Sequence, residues 1–218
     1  MIEFELAVSK TSIFRVLCLG SHCDDIEIGC GGTILKLIEQ LDNLAFRWVV
    51  FGSHEVRAAE ALCSAGEFLK GAKEKSVSVE KFRDGFFPYI GVQIKEYFEA
   101  LKQEFTPDII FTHYRQDLHQ DHRFISELTW NTFRDHLILE YEIPKYDGDL
   151  GSPNVFVPLD QSLCQRKIEY ILNNFETQRE NHWFTEDTFL SLLRLRGVES
   201  NSQSKYAEAF YSRKLILK

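Results

Sequence analysis

Across its 218 residues the chain lacks any apolar run approaching the roughly 20 residues that a membrane helix needs. It also lacks paired cysteines. Cys18, Cys23, Cys30, Cys63 and Cys164 form no CxxC and are odd in number, which excludes a complete disulfide framework and suits the reduced thiols of a cytoplasmic protein. Basic residues are outnumbered, 25 Lys and Arg against 33 Asp and Glu, and gather into no stripe. The resulting net charge of -8 argues against nucleic acid as a partner, because phosphates need a basic face. Residues 1–10 carry two glutamates and no apolar core, which argues against a secretory leader. There is no internal repeat and no low-complexity tract.

What is there has ordinary globular composition, 44% hydrophobic and 27% charged, and the length suits one large domain over residues 1–218. Residues 14–19 (FRVLCL) form a short β-rich run ending at Gly20, a buried strand. Ile34, Leu35, Leu37 and Ile38 then fall at helical spacing between Gly32 and Gln40. Strands are predicted over 46–51, 77–82 and 108–112, and helices over 55–70, 91–105, 123–136 and 163–177. Residues 142–158 hold Pro144, Gly148, Gly151, Pro153 and Pro158 and are predicted to be a structured loop. Residues 206–217 mix apolar and basic side chains. Alternation of strands and helices predicts an α/β, Rossmann-like layered fold with a mostly parallel sheet.

Two runs carry chemistry. Ser21-His22-Cys23-Asp24-Asp25 follows the first strand, and His119-Gln120-Asp121-His122 follows the apolar stretch Ile109-Ile110-Phe111. In an open parallel sheet, residues beyond the carboxyl ends of strands line the ligand crevice. His22 and Asp25, three apart, share a face if a helix starts after Gly20, and His122 completes a facial set of three for zinc or a similar divalent ion. Asp24 is then the general base for water, and His119 the protonated acid for the oxyanion and the leaving amine. Asp121 is expected to hold the His119 imidazole in its tautomer. The set suits amide hydrolysis at a metal.

His22-Cys23-Asp24-Asp25-Ile26-Glu27-Ile28-Gly29-Cys30-Gly31-Gly32-Thr33 resembles the (A/S)HPDDE-x-x-G-x-GGT signature of the PIG-L/LmbE-like deacetylases, and His119-Gln120-Asp121-His122 resembles their HxDH motif. Arg57-Ala58-Ala59-Glu60 and Tyr206-Ala207-Glu208-Ala209-Phe210 are weaker echoes. The resemblance implies a Rossmann-like fold and deacetylation of an N-acetylglucosamine-type sugar. It implies His22, Asp25 and His122 as zinc ligands, with ferrous iron an alternative, Asp24 as base, and His119 with Asp121 as the acid pair. It also implies a substrate contact for Arg57. The departures are Cys23 in place of proline and Ile26 in place of an acid; losing proline frees φ without removing a ligand.

Other readings stand beside this one. The glycine cluster of residues 29–32 serves either close helix–strand packing, the favoured reading, or a phosphate. Arg57 is either a plain helix-surface charge or a substrate clamp. His113 is the remaining histidine best suited to support the site. The 142–158 loop offers Lys145, Asp147, Asp149 and Asn154 to sugar hydroxyls, or serves as a homo-oligomer contact. The competing function is a non-catalytic Rossmann-like protein that binds a nucleotide or sugar without metal.

Overall fold

The computed structural model describes residues 2–6, 8 and 11–216; the leader reading over 1–10 and the end of the 206–217 tail lie partly outside them. The elements run β1 (Phe14–Gly20), α1 (Asp25–Gln40), β2 (Leu44–Gly52), α2 (Glu55–Phe68), β3 (Glu74–Phe82), α3 (Gly91–Glu104), β4 (Ile109–His113), α4 (Gln120–Thr132), β5 (Leu137–Tyr141), β6 (Val155–Leu159), α5 (Gln161–Asn174), α6 (Glu186–Glu199) and β7 (Tyr206–Tyr211). One seven-stranded sheet, ordered β3-β2-β1-β4-β5-β7-β6, organises them. The first five strands in that order are parallel, and β7 runs antiparallel to both β5 and β6.

Strand alternation divides the core. Val16 and Cys18 of β1 face one side, with Phe46 and Trp48, under α1, α2, α5 and α6. Leu17 and Leu19 face the other, with Val49 and Phe51, under α3 and α4. Both faces are covered, so the central strands read as continuous apolar runs. Among the described residues no helix is long and apolar enough to cross a membrane.

The α/β fold with its mostly parallel sheet is as predicted; the elements differ in places, and β7 forms where only a mixed apolar and basic tail was expected. Helix α1 starts at Asp25, not Gly32, because the glycines lie inside the helix and pack closely instead of forming a loop. The predicted 123–136 helix ends at Thr132, and β5 follows shortly after. Residues 155–159, the end of the expected loop, form β6, where Pro158 is tolerated because the strand is at the sheet edge. Helix α6, with a weak apolar stripe, carried no signal.

The sheet order places β1 between β2 and β4, and the chain leaves β1 toward one side and β4 toward the other. This is the switch point where α/β sheets open a crevice. Both predicted runs sit there.

Candidate active site

The first run is a tight turn between β1 and α1. The His22 N–H donates to Asp25 Oδ2 at 2.6 Å, which folds the turn back onto the helix start. A Cβ on Gly20 would come within 2.9 Å of Ile26 and 3.2 Å of the His22 carbonyl, so the turn needs glycine there. The second run begins α4, with His119 as its N-cap.

The two turns bring His22, Asp25 and His122 together. His22 Nδ1 lies 3.1 Å from His122 Nε2 and 3.4 Å from Asp25 Oδ2, and His122 Nε2 lies 3.5 Å from Asp25 Oδ1. Ligand atoms bonded tetrahedrally to zinc at about 2.0–2.1 Å stand about 3.3 Å apart. His122 Nδ1 meets Asp117 Oδ2 at 2.9 Å, which assigns the ring proton to Nδ1 and leaves the Nε2 lone pair facing the others. Burial, together with neighbouring His113, lowers His122 to about 3, so it is neutral, the form that ligates. Burial opposes charge on Asp25, but the three histidines around it hold its carboxyl well below the usual range. His22 is also buried, yet Asp25, Asp121 and Asp84 together hold its imidazole well above its ordinary value, so it must give up a proton to ligate. Two imidazoles and a carboxylate, which meets one ring through each oxygen, stand at spacings that suit a divalent ion; His22 and His122 also group with His119, and Asp25 and His122 with His113.

Asp24 is the N-cap of α1. It is buried, and its Oδ1 accepts from Arg57 Nη2 at 2.8 Å. Burial raises its carboxyl, and Arg57 only partly offsets the effect. Arg57 is therefore neither a plain surface charge nor a free clamp: it reaches in from α2 to grip Asp24, while its buried Nε has no partner.

His119 is half-buried, and its ring stands edge-on to His22 with centroids 4.9 Å apart. Its Nδ1 accepts from the Asp121 main-chain N–H at 3.3 Å, so the ring hydrogen is on Nε2. Burial and the His22 charge lower its pKa. This corrects one expectation: the Asp121 carboxylate does not steady the His119 ring, whose Nδ1 is met by main chain. That carboxylate accepts from Gly85 N at 2.6 Å and Phe87 N at 3.1 Å, fastening the loop after β3 to α4.

Sequence reasoning missed two residues at the site. Asp117, which orients His122, also accepts from His119 N at 2.7 Å and Lys145 Nζ at 2.8 Å. It lies five residues before His122 in a loop without periodicity, and only its place just beyond a strand end signals it. Asp84 is 60% exposed, and its Oδ1 lies 3.0 Å from His22 Nε2 across the mouth. His113, noted only as support, is fully buried and stacks on His122 with centroids 3.9 Å apart. Its Nε2 accepts from Ser21 N at 2.9 Å and lies 3.2 Å from Asp25 Oδ2. Lys145 and Asp149 pair with each other at 2.6 Å, and Asn154 pairs with Ser212, so of the four loop residues offered to sugar only Asp147 lacks such a partner.

Solved structures share this fold. A conserved protein of Thermus thermophilus, TT1542, aligns at TM-score 0.73 and 19% identity, covering 94% of this chain and 97% of that one. N,N'-diacetylchitobiose deacetylase from Pyrococcus horikoshii aligns at TM-score 0.70 and 22% identity, covering 96% and 87%. GalB, a 4-carboxy-2-hydroxymuconate hydratase from Pseudomonas putida KT2440, aligns at TM-score 0.74 and 15% identity, covering 94% and 98%. One scaffold therefore carries a deacetylase and a hydratase, so the fold alone does not choose the chemistry. The family model for GlcNAc-PI de-N-acetylase (PIG-L) matches residues 17–133, just over half of the chain and the part holding both motifs. The chain belongs to the PIG-L family of hydrolytic N-deacetylases.

Proposed function

We propose that this protein is a zinc-dependent enzyme, with ferrous iron the alternative metal, that removes acetyl from an N-acetylated amino sugar carried on a conjugate or nucleotide. It is read as one catalytic domain over residues 1–218 working in the cytoplasm, consistent with cysteines that are all free. The observation that carries the reading is the 3.1–3.5 Å spacing among His22, Asp25 and His122.

Those three side chains would hold the ion, which when bound would polarise the amide carbonyl and raise the acidity of water. Asp24, its carboxyl raised by burial, takes a proton from the attacking water, and His119 delivers one to the leaving nitrogen. Arg57 fixes the direction from which Asp24 acts. His119, with its hydrogen on Nε2, donates to the carbonyl oxygen as charge builds there. Exposed Asp84, which meets His22 through one oxygen, would accept from a sugar hydroxyl, and Arg57 has a buried nitrogen without a partner.

The test pairs metal analysis with a product assay. Purified protein should hold close to one divalent ion per chain and release acetate from some members of a panel of N-acetyl sugars and their conjugates. A metal-free protein that binds a nucleotide would overturn the proposal, and acetate released only from non-sugar acetamides would remove the sugar.

A further inference from the structure

Two motifs that the catalytic reading leaves unused meet on the far side of α1. Glu208, at the centre of the Tyr206–Phe210 run on β7, faces the glycine cluster. Its Oε1 accepts from Gly32 N at 2.8 Å and Lys167 Nζ at 2.6 Å, and its Oε2 from both Thr33 N and Thr33 Oγ1 at 2.6 Å. Lys167, from α5, also donates to the Ile28 carbonyl at 2.7 Å. Both side chains are about 3–4% exposed. In an isolated helix the Gly32 and Thr33 N–H groups run to the carbonyls of Ile28 and Gly29. Here an ion pair from two other elements meets those same groups from outside the helix.

The glycines let these neighbours approach. A Cβ on Gly32 would lie 2.4 Å from Leu159 and 2.9 Å from Glu208, and one on Gly29 would lie 2.2 Å from the Tyr141 ring. Tyr141 donates in turn to the Leu19 carbonyl at 2.6 Å, so α1 is located against β1 as well. Asp25 lies one turn before Ile28. Stability alone does not account for the pair, because buried ion pairs are often replaced by apolar residues at no loss. An apolar pair, however, cannot hold a carbonyl and two amides.

We propose that Lys167 and Glu208 are positioning residues for the metal site: by gripping α1 at Ile28, Gly32 and Thr33 they set where Asp25 meets His22 and His122. This rests on the reading that those three residues hold a divalent ion.

The test is zinc affinity, measured by competition with a chromophoric chelator on variants whose folding is followed by circular dichroism. The double variant Lys167→Met/Glu208→Met leaves no buried charge unpaired. It should unfold cooperatively and bind zinc about 10- to 100-fold more weakly, the usual effect of losing an outer support of a metal site. The control removes the other buried pair, Arg196 and Glu142, whose remaining hydrogen bonds go to Glu199 and Gly151 instead of α1. Arg196→Met/Glu142→Met should keep zinc affinity within about twofold. Unchanged affinity in the first double variant, or equal weakening in the control, overturns the proposal. If the first double variant does not fold, Thr33→Val decides: it removes one donor to Glu208 and should weaken zinc roughly threefold, and no change overturns the proposal. A wild-type protein that binds no zinc would sink the metal reading itself, whereas wild-type binding with unaffected variants sinks only the positioning role.

Discussion

At the carboxyl ends of β1 and β4, His113 Nδ1 and Arg57 Nε are buried without a hydrogen-bond partner. Behind the sheet, Glu208 accepts from four donors and Glu142 takes two nitrogens of Arg196. Buried polar groups are ordinarily paired; unpaired ones also occur away from this crevice, at Trp48 Nε1, Arg166 Nε and the Tyr211 hydroxyl, so they mark the site only together with its ligand-type side chains. The contrast follows the chain. Residues 17–133 match the family model and supply every proposed catalytic side chain, whereas α5, α6 and the antiparallel strands supply supports.

The strongest way to break this division is to remove a ligand. Asp25→Ala or His122→Ala should abolish stoichiometric zinc and cut acetate release roughly a thousandfold or more, since a Lewis acid lowers the barrier by several kcal/mol. Elemental analysis beside the assay would show it, and a variant that keeps both metal and turnover would refute the ligand set.

Next in size, Asp24→Asn and His119→Ala should keep zinc and lose about 10²- to 10⁴-fold in turnover. If either emptied the site instead, the boundary between ligands and proton-handling groups would be drawn wrongly. A smaller effect is expected of Asp117→Asn, which leaves an acceptor near His122 but removes the charge behind it. Calorimetric titration should show zinc weakened by about 10- to 100-fold.

The smallest prediction sharpens the comparison among glycines. Gly66 lies within α2, and a Cβ there meets nothing within 4 Å. Gly66→Ala should stabilise the fold by about 0.5–1 kcal/mol, seen as a raised Tm with zinc affinity unchanged. Gly29→Ala must instead displace the Tyr141 ring and should destabilise.

Legibility tracked the source of each signal. Strands β1, β2 and β4 were readable because both of their faces are buried and their apolar runs are unbroken. Strand β6 was hidden by Pro158, which only an edge position permits, and α1's first two turns were hidden by glycines that packing holds helical. At the site, His22, Asp24, Asp25, His119, Asp121 and His122 were visible as motif residues. The Arg57 grip on Asp24 and the loop contacts of the Asp121 carboxylate were not, because each depends on which distant element lies opposite.

By itself the sequence determined the layered α/β architecture and the inventory of ligating and proton-handling groups, since burial periodicity and residue chemistry are local properties. The tertiary structure alone decided which carboxylate backs which imidazole, with Asp117 behind His122 and main chain behind His119. It alone decided, too, that a glycine-rich helix is held by a distant ion pair, whose Glu208 stands 176 positions along the chain from Gly32. Hydrogen bonds form at about 3 Å, and positions at that precision are fixed only when the whole sheet has closed.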